Sequence, residues 1–299
     1  MKLIQVTAPH IHTRNTTQRT MLYVILSLLP CVCMSIWNFG FAAAVNIFTA
    51  VLSAIAAEAI WMKLAKKKST VGDLSAVVTG LLLALCVSPA APWWIFVIGS
   101  FFAIIVVKQL FGGIGDNFLN PALAARAMLL ASFPAFLTTS FSRFSLDAVS
   151  VATPLLTGSE TIGALFVGRY AGAIGETSAI AILIGFAILL LTGTIRWHIP
   201  VITIASAALT GLLFGMNPLT VVLSGGLLFG AVFMATDYVT SPMKTSAQII
   251  YAAGIGVLTV LLRKFSIFPE GVTYAILMMN IVSPLLDHWM PEKVYGYRK

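Results

Sequence analysis

The chain has 299 residues, of which 59% are hydrophobic and only 9% are charged, and its mean hydropathy is +0.97. These values exclude a water-soluble domain of ordinary composition and predict an all-α polytopic membrane protein. The net charge of +8 would suit nucleic-acid binding in a soluble chain. In a membrane chain a positive net charge instead indicates basic cytoplasmic loops. The expected partner is therefore the lipid bilayer and not nucleic acid.

Apolar windows of about 20 residues are long enough to cross a bilayer as helices. The sequence contains about ten of them, at residues 20–38, 41–62, 74–90, 93–111, 120–137, 177–195, 199–215, 218–236, 246–262 and 271–289. They predict an N-terminal arm (1–19), one transmembrane domain (20–290) and a C-terminal tail (291–299). The first window lacks a small-residue cleavage site, so it is expected to be a retained helix rather than a signal peptide.

The basic residues predict the orientation of these windows. Most of the 18 Lys and Arg residues, Lys108 among them, share one side of the membrane, whereas Arg143, Arg169, Arg263 and Lys264 share the other. The positive-inside rule then predicts that the protein lies in the inner or plasma membrane with both termini in the cytoplasm. The connection from 138 to 176 is therefore predicted on the outer face.

Two features of the first three windows bear on chemistry. Glu58 is a carboxylate within a predicted span, which is costly unless the group is paired, protonated or hydrated. The sequence leaves open whether Glu58 lies on an ion path or reaches out to the surface. Cys31 and Cys33 are two residues apart and point to different sides of a helix, so packing is favoured over a metal pair and no metal site is predicted.

Short matching segments suggest an internal repeat. Residues 72–76 and 175–179 open the third and sixth windows with an acidic residue followed by small ones, and Asn120-Pro121 and Asn217-Pro218 open the fifth and eighth. Matching segments three helices apart run in opposite directions, so the pattern predicts two inverted halves with some interrupted helices. Helix capping alone is the alternative explanation.

Residues 112–126 combine glycines, amides and a cation at the start of the fifth window. Backbone this irregular at membrane depth is tolerated where it lines a protein cavity, and Asn120 and Arg126 would offer an amide and a fixed positive charge to that cavity. A charge inside a span is costly and usually functional. The alternative is a cytoplasmic turn with Arg126 extended to the surface.

The connection predicted on the outer face contains a hydroxyl suited to modification. Small or β-branched residues surround Thr153, and Pro154 biases it toward extended backbone. Asp147 and Ser150 precede it in the same run. Thr153 is therefore expected to be accessible to another enzyme.

A last polar cluster, Met234 to Pro242, follows the eighth window. Its oxygen-bearing side chains, Asp237 among them, are suited either to binding a group or to capping the next helix.

The run from Asp147 to Thr153 resembles the flavinylation motif of the membrane subunits of the RnfD and NqrB family. Residues 112–126, 175–179, 234–242 and 280–284 are similar to further segments of that family, so the resemblance extends from about residue 73 to residue 287. Val151 departs from it where Gly is frequent, and Tyr238 where Pro is usual. With about 19 residues before the first window, the chain is expected nearer to RnfD than to the longer NqrB.

The resemblance implies an electron-transfer subunit of an Rnf-type complex that couples ferredoxin:NAD electron transfer to outward Na⁺ or H⁺ translocation. It implies FMN held at Thr153 by a phosphoester that a flavin transferase forms, with Asp147 and Ser150 as motif residues. It also allows a second, non-covalent flavin such as riboflavin, for which Asn120, Arg126 and Asp237 are the cavity contacts considered. Other subunits of the complex, one of them a second covalent-flavin subunit, would be partners, and the chain would not be active alone.

Two alternatives remain open at this point. One is an NqrB-like subunit of NADH:quinone oxidoreductase. The other is a non-redox transporter or channel with two inverted halves, in which the interrupted helices bind a solute.

Overall fold

The computed structural model of the chain describes residues 16–67, 70–138, 172–266 and 271–290, together with 163, 166 and 168. Asp147, Ser150 and Thr153 lie outside the described residues.

Each of the ten predicted windows contains helix in the structure, and the prediction of an all-α polytopic membrane protein is confirmed. In chain order the α-helices of the described ranges are α1 (Thr17–Phe39), α2 (Phe41–Leu64), α3 (Ser75–Cys86), α4 (Trp93–Phe101), α5 (Pro121–Ser132), α6 (Pro134–Thr138), α7 (Ala179–Leu191), α8 (His198–Leu213), α9 (Pro218–Leu223), α10 (Leu227–Phe229), α11 (Thr245–Phe265) and α12 (Val272–Trp289). Within these ranges, three helices, α1, α2 and α11, are each long and apolar enough to cross a membrane.

Small residues let these helices approach closely. On α2, Ala43, Ala50, Ala54 and Ala57 are all fully buried, and α2 packs along α3 and α4. A side chain at Gly80 of α3 would lie 2.8 Å from the backbone oxygen of Ala50. Such contacts between small residues are the usual means of packing membrane helices, because lipid offers no hydrophobic driving force for association.

The predicted interruptions are present. The fourth span continues from α4 into a π-helix, Phe102–Gln109, and the eighth is divided into α9, α10 and a second π-helix, Gly230–Met234. Both Asn-Pro pairs cap helices. Asn120 and Asn217 have nearly the same backbone angles (φ −64°, ψ 119° and φ −67°, ψ 119°), and each precedes a proline at the first helical position.

The structure adds a likeness between the third and eighth spans. Leu74 before α3 (φ 65°, ψ 3°) and Gly226 before α10 (φ 68°, ψ 8°) are both left-handed, a conformation that is rare for a leucine. The two spans also meet at their far ends, where Cys86 Sγ lies 3.9 Å from Met234 Sδ. The third and eighth spans are therefore in contact inside the bundle.

Candidate functional site

A cavity of about 790 Å³, including its mouth, lies where the third, fourth, fifth and eighth spans converge. Val24, Val78, Leu82, Leu189 and Phe233 form much of its apolar wall, and its polar residues include Ser75, Lys108, Asn117, Asn120, Thr236 and Asp237. The cavity thus combines an apolar body with a small polar group of side chains.

The fifth and eighth spans bring Asn120 and Asp237 together. Asn120 Oδ1 accepts from the backbone N–H groups of Ala122 and Leu123, which fixes the start of α5. Its Nδ2 then donates to Asp237 Oδ2 at 3.4 Å, and Asp237 Oδ1 accepts from the backbone N–H of Val239 at 3.2 Å. Two residues 117 positions apart therefore form one polar edge of the cavity.

The last span supports this edge from behind. In the amide orientation that satisfies both of its polar atoms, Asn280 accepts from the backbone N–H of Asn120 at 3.2 Å and donates to the Tyr251 hydroxyl at 2.7 Å. Tyr251 and Asn280 are both buried. The sequence indicated Asn280 only through a resemblance, whereas the structure places it directly behind the Asn120 cap.

A buried ion pair forms a second polar edge. Lys108 Nζ lies 3.0 Å from Glu58 Oε1, and the same oxygen accepts from Gln109 Nε2 at 2.9 Å and from the Thr70 hydroxyl at 2.8 Å. Lys108 Nζ also donates to the Ser75 hydroxyl at 2.5 Å. Glu58 is 0% exposed and Lys108 is 3% exposed. Burial of this kind is tolerated only when charges are paired and hydrogen-bonded.

The structure answers one question about Glu58 that the sequence left open, and it locates Lys108 more closely than the sequence did. Glu58 does not reach out to the surface, because it is enclosed and lies six positions before the end of α2 at Leu64. The sequence counted Lys108 among the cytoplasmic charges, whereas the structure encloses it in the π-helix. The sequence did contain one indication of this pair. Glu58 lies near the end of the second predicted span and Lys108 near the end of the fourth, and these two ends lie on the same predicted side of the membrane.

Arg126 lies apart from the cavity lining. It is in α5 and 7% exposed, as expected for a cation within a span, but it is not among the residues that line the cavity. Of the three cavity contacts considered from the sequence, the structure therefore brings together Asn120 and Asp237. Asn117, in the same Gly-rich stretch, joins them.

A more polar pocket of about 680 Å³, including its open mouth, adjoins the cavity and shares Thr194, Ile195, Thr236 and Tyr238 with it. Arg196 and Gln248 line this pocket. Arg196 Nη1 donates to Gln248 Oε1 at 3.4 Å.

The electrostatics of the two polar edges differ. Glu58 balances the Lys108 charge, whereas burial raises the pKa of Asp237, opposed by its hydrogen bond from the backbone of Val239. The Asp237 carboxyl, in the connection after the eighth span, accepts on both oxygens, from the Asn120 amide and from the backbone of Val239. Together the edges can bind a flat heteroaromatic ring that carries both carbonyl groups and an N–H.

Comparison with known proteins gives a consistent result. The sequence matches the NQR2, RnfD, RnfE family over residues 4–296. It is 46% identical over 302 residues to the D subunit of the Na(+)-translocating ferredoxin:NAD(+) oxidoreductase complex of Acetobacterium woodii, and the match covers 98% of this chain and 95% of that protein.

Two further relatives cover a similar share of the chain. The D subunit of the proton-translocating ferredoxin:NAD(+) oxidoreductase complex of Clostridium ljungdahlii is 39% identical over 317 residues, covering 98% of this chain and 96% of that protein. The D subunit of the ion-translocating oxidoreductase complex of Escherichia coli K12 is 36% identical over 344 residues, covering 98% of each.

Proposed function

This chain belongs to the NQR2, RnfD, RnfE family, and from that premise we propose that it is the D-type membrane subunit of an ion-translocating ferredoxin:NAD oxidoreductase complex. The similarity to relatives named as D subunits extends along nearly the whole chain, which supports the same place in a complex. The name of one relative specifies sodium translocation and that of another specifies proton translocation. The proposed complex therefore translocates one of these two cations. The other subunits of that complex are its proposed partners.

We further propose that the cavity binds a non-covalent flavin such as riboflavin. The observation that carries this proposal is the pairing of an apolar body with two polar edges, the buried Lys108 with Ser75 and the half-buried contact of Asn120 with Asp237. A flavin ring presents carbonyl oxygens and one imide N–H, which these donors and acceptors complement. When bound, a flavin supplies one- and two-electron chemistry, while the protein supplies orientation and electrostatics.

Replacement of Asn120 by serine tests the cavity flavin. Serine remains a good N-cap, so Asn120→Ser keeps the start of α5 while it removes the amide that contacts Asp237. We expect less flavin to be released on denaturation with acid than from the wild-type chain. Asn217→Ser is the matched control, because Asn217 has the same cap geometry and lies outside the cavity lining.

Equal flavin release from Asn120→Ser and Asn217→Ser would show that the Asn120 amide does not contribute to flavin binding. If the wild-type chain released no flavin, the cavity proposal itself would fail.

We also propose that Thr153 carries FMN through a phosphoester, on the outer face of the membrane. The support is the motif from Asp147 to Thr153 together with membership of the family. The peptide 144–169 between Arg143 and Arg169 should then gain the mass of FMN, and the denatured chain should fluoresce in a gel. Thr153→Ala should abolish both signals, whereas Thr157→Ala in the same connection should retain them. An unmodified wild-type peptide, from cells that contain the flavin transferase, would refute the assignment.

A covalent flavin at the outer face and a bound flavin in the cavity would place redox centres toward opposite sides of one bundle. This arrangement suits transfer of electrons across the membrane within the complex. The chain's own contribution is to anchor, orient and electrostatically tune the two groups.

A further inference from the structure

Lys108 has an unusual position for a membrane lysine, because it is 3% exposed and yet lines the cavity. Its ammonium group has three N–H donors. Among the described residues, two of these donors have partners, Glu58 Oε1 at 3.0 Å and Ser75 Oγ at 2.5 Å. The remaining donor belongs to a fixed positive charge at the edge of the cavity.

Neighbouring residues hold that charge in place. Ser75 Oγ donates to Asp73 Oδ1 at 2.5 Å, and the backbone N–H of Ser75 donates to the same oxygen at 2.9 Å. Gln109 and Thr70 occupy Glu58 Oε1 alongside Lys108. An ammonium group that is restrained from two sides cannot swing away to follow solvent. It therefore acts as a preorganised charge, which costs no rearrangement when negative charge appears beside it.

We propose that Lys108 is a cofactor-contacting residue whose remaining donor and positive charge meet the carbonyl-bearing pyrimidine edge of the flavin, and that this contact raises the flavin reduction potential. The inference rests on the proposed function, because it needs a flavin in the cavity. Uptake of two electrons and one proton by an oxidised flavin ring leaves one negative charge, which lies on the N1 and C2 carbonyl edge. A nearby cation stabilises that charge.

Glu58 is then a positioning residue that acts through Lys108. Its carboxylate holds the ammonium group and also partly cancels its field at the ring. Removal of the lysine charge and removal of the carboxylate charge therefore change the potential in opposite directions. A merely structural role for the pair predicts a shift of the same sign in both variants, because each would loosen the same packing.

The test is a spectroelectrochemical titration of the purified full chain. A Thr153→Ala background leaves the cavity flavin as the chromophore, and dithionite supplies the electrons. For Lys108→Met we expect the ratio of reduced to oxidised flavin at a fixed potential to fall by roughly tenfold or more. Tenfold corresponds to about 30 mV for a two-electron couple. For Glu58→Gln we expect a shift to more positive potential.

Lys264→Met is the matched control, because Lys264 is exposed at the end of α11, and it should titrate as wild type. If Lys108→Met and Glu58→Gln both bound flavin in full and both had the wild-type potential, the proposed role of Lys108 would be overturned. The proposal of a flavin in the cavity would stand. If Lys108→Met purified without flavin, Glu58→Gln would decide, since it retains the ammonium group. A lowered or unchanged potential in Glu58→Gln would then overturn the proposal. A wild-type chain without releasable flavin would overturn the cavity flavin and this inference together.

Discussion

Arg263 at the end of α11 is expected to hold the break in the eighth span. Its Nη1 donates to the carbonyl oxygen of Val221 at 2.6 Å, and its Nη2 donates to those of Ser224 and Gly225 at 2.9 and 3.1 Å. These carbonyls lie in the last turn of α9 or directly after it, where a helix leaves its acceptors without partners of its own. Near a bilayer, water replaces such partners poorly.

The cost of Arg263→Met can be estimated from these contacts. A hydrogen bond to a charged group contributes about 1.5–3 kcal/mol. The three bonds share one guanidinium group, so their contributions do not add fully and a total of about 3–5 kcal/mol is expected. For a chain of this size that loss lowers Tm by about 5–10 °C. Because α10 and the second π-helix follow the break, flavin release from the cavity should fall as well.

The assay is thermal unfolding in detergent micelles, followed by circular dichroism, with Lys264→Met as the neighbouring control. Arg263→Lys should melt between wild type and Arg263→Met, because an ammonium group cannot reach three carbonyls in the planar geometry of arginine. A Tm for Arg263→Met equal to that of Lys264→Met would refute the assigned role of these hydrogen bonds.

Three further predictions concern the cavity and its supports. Gly226→Ala should lose about 2 kcal/mol or more, because Gly226 has φ 68° and a new Cβ would lie 2.5 Å from the Glu176 carboxylate; Gly163→Ala, with no atom nearby, should unfold as wild type does. At pH values above the ordinary carboxyl pKa, the Tm of Asp237→Asn should fall less steeply with rising pH than the Tm of the wild type. The raised pKa of Asp237 makes the folded state bind more protons there, so wild-type stability falls as pH rises toward the raised value, and an equally steep fall in Asp237→Asn would contradict this. Tyr251→Phe should cost about 1 kcal/mol through its hydrogen bond with Asn280, and an unchanged denaturation midpoint would remove Tyr251 from the support behind Asn120.

Local sequence was sufficient for the helices and their starts. Ten apolar windows of near-bilayer length predicted the spans, because hydropathy over a window depends on neighbouring residues alone. The Asn-Pro pairs at 120 and 217 predicted two helix starts, and both form N-caps with proline in the first turn. The glycines after residue 111 predicted irregular backbone, and Gly112, Gly113 and Gly115 all have positive φ.

The candidate site was predicted only in part. Asn120 and Asp237 were identified from their segments, but their contact joins the fifth and eighth spans, and no local pattern encodes that distance. Arg126 was considered for the same cavity because it shares a segment with Asn120. Its position on α5 instead places it outside the lining.

The sequence by itself determined that this is a membrane bundle, where its spans lie and which family it belongs to, because each of these depends on the order and type of residues along the chain. Only the tertiary structure decided that Lys108 pairs with Glu58, 50 positions away, and that the pair borders a cavity. The physical reason is that this ion pair forms only where α2 packs against the π-helix that contains Lys108. Such packing joins segments far apart in the chain, which a single window of sequence does not contain.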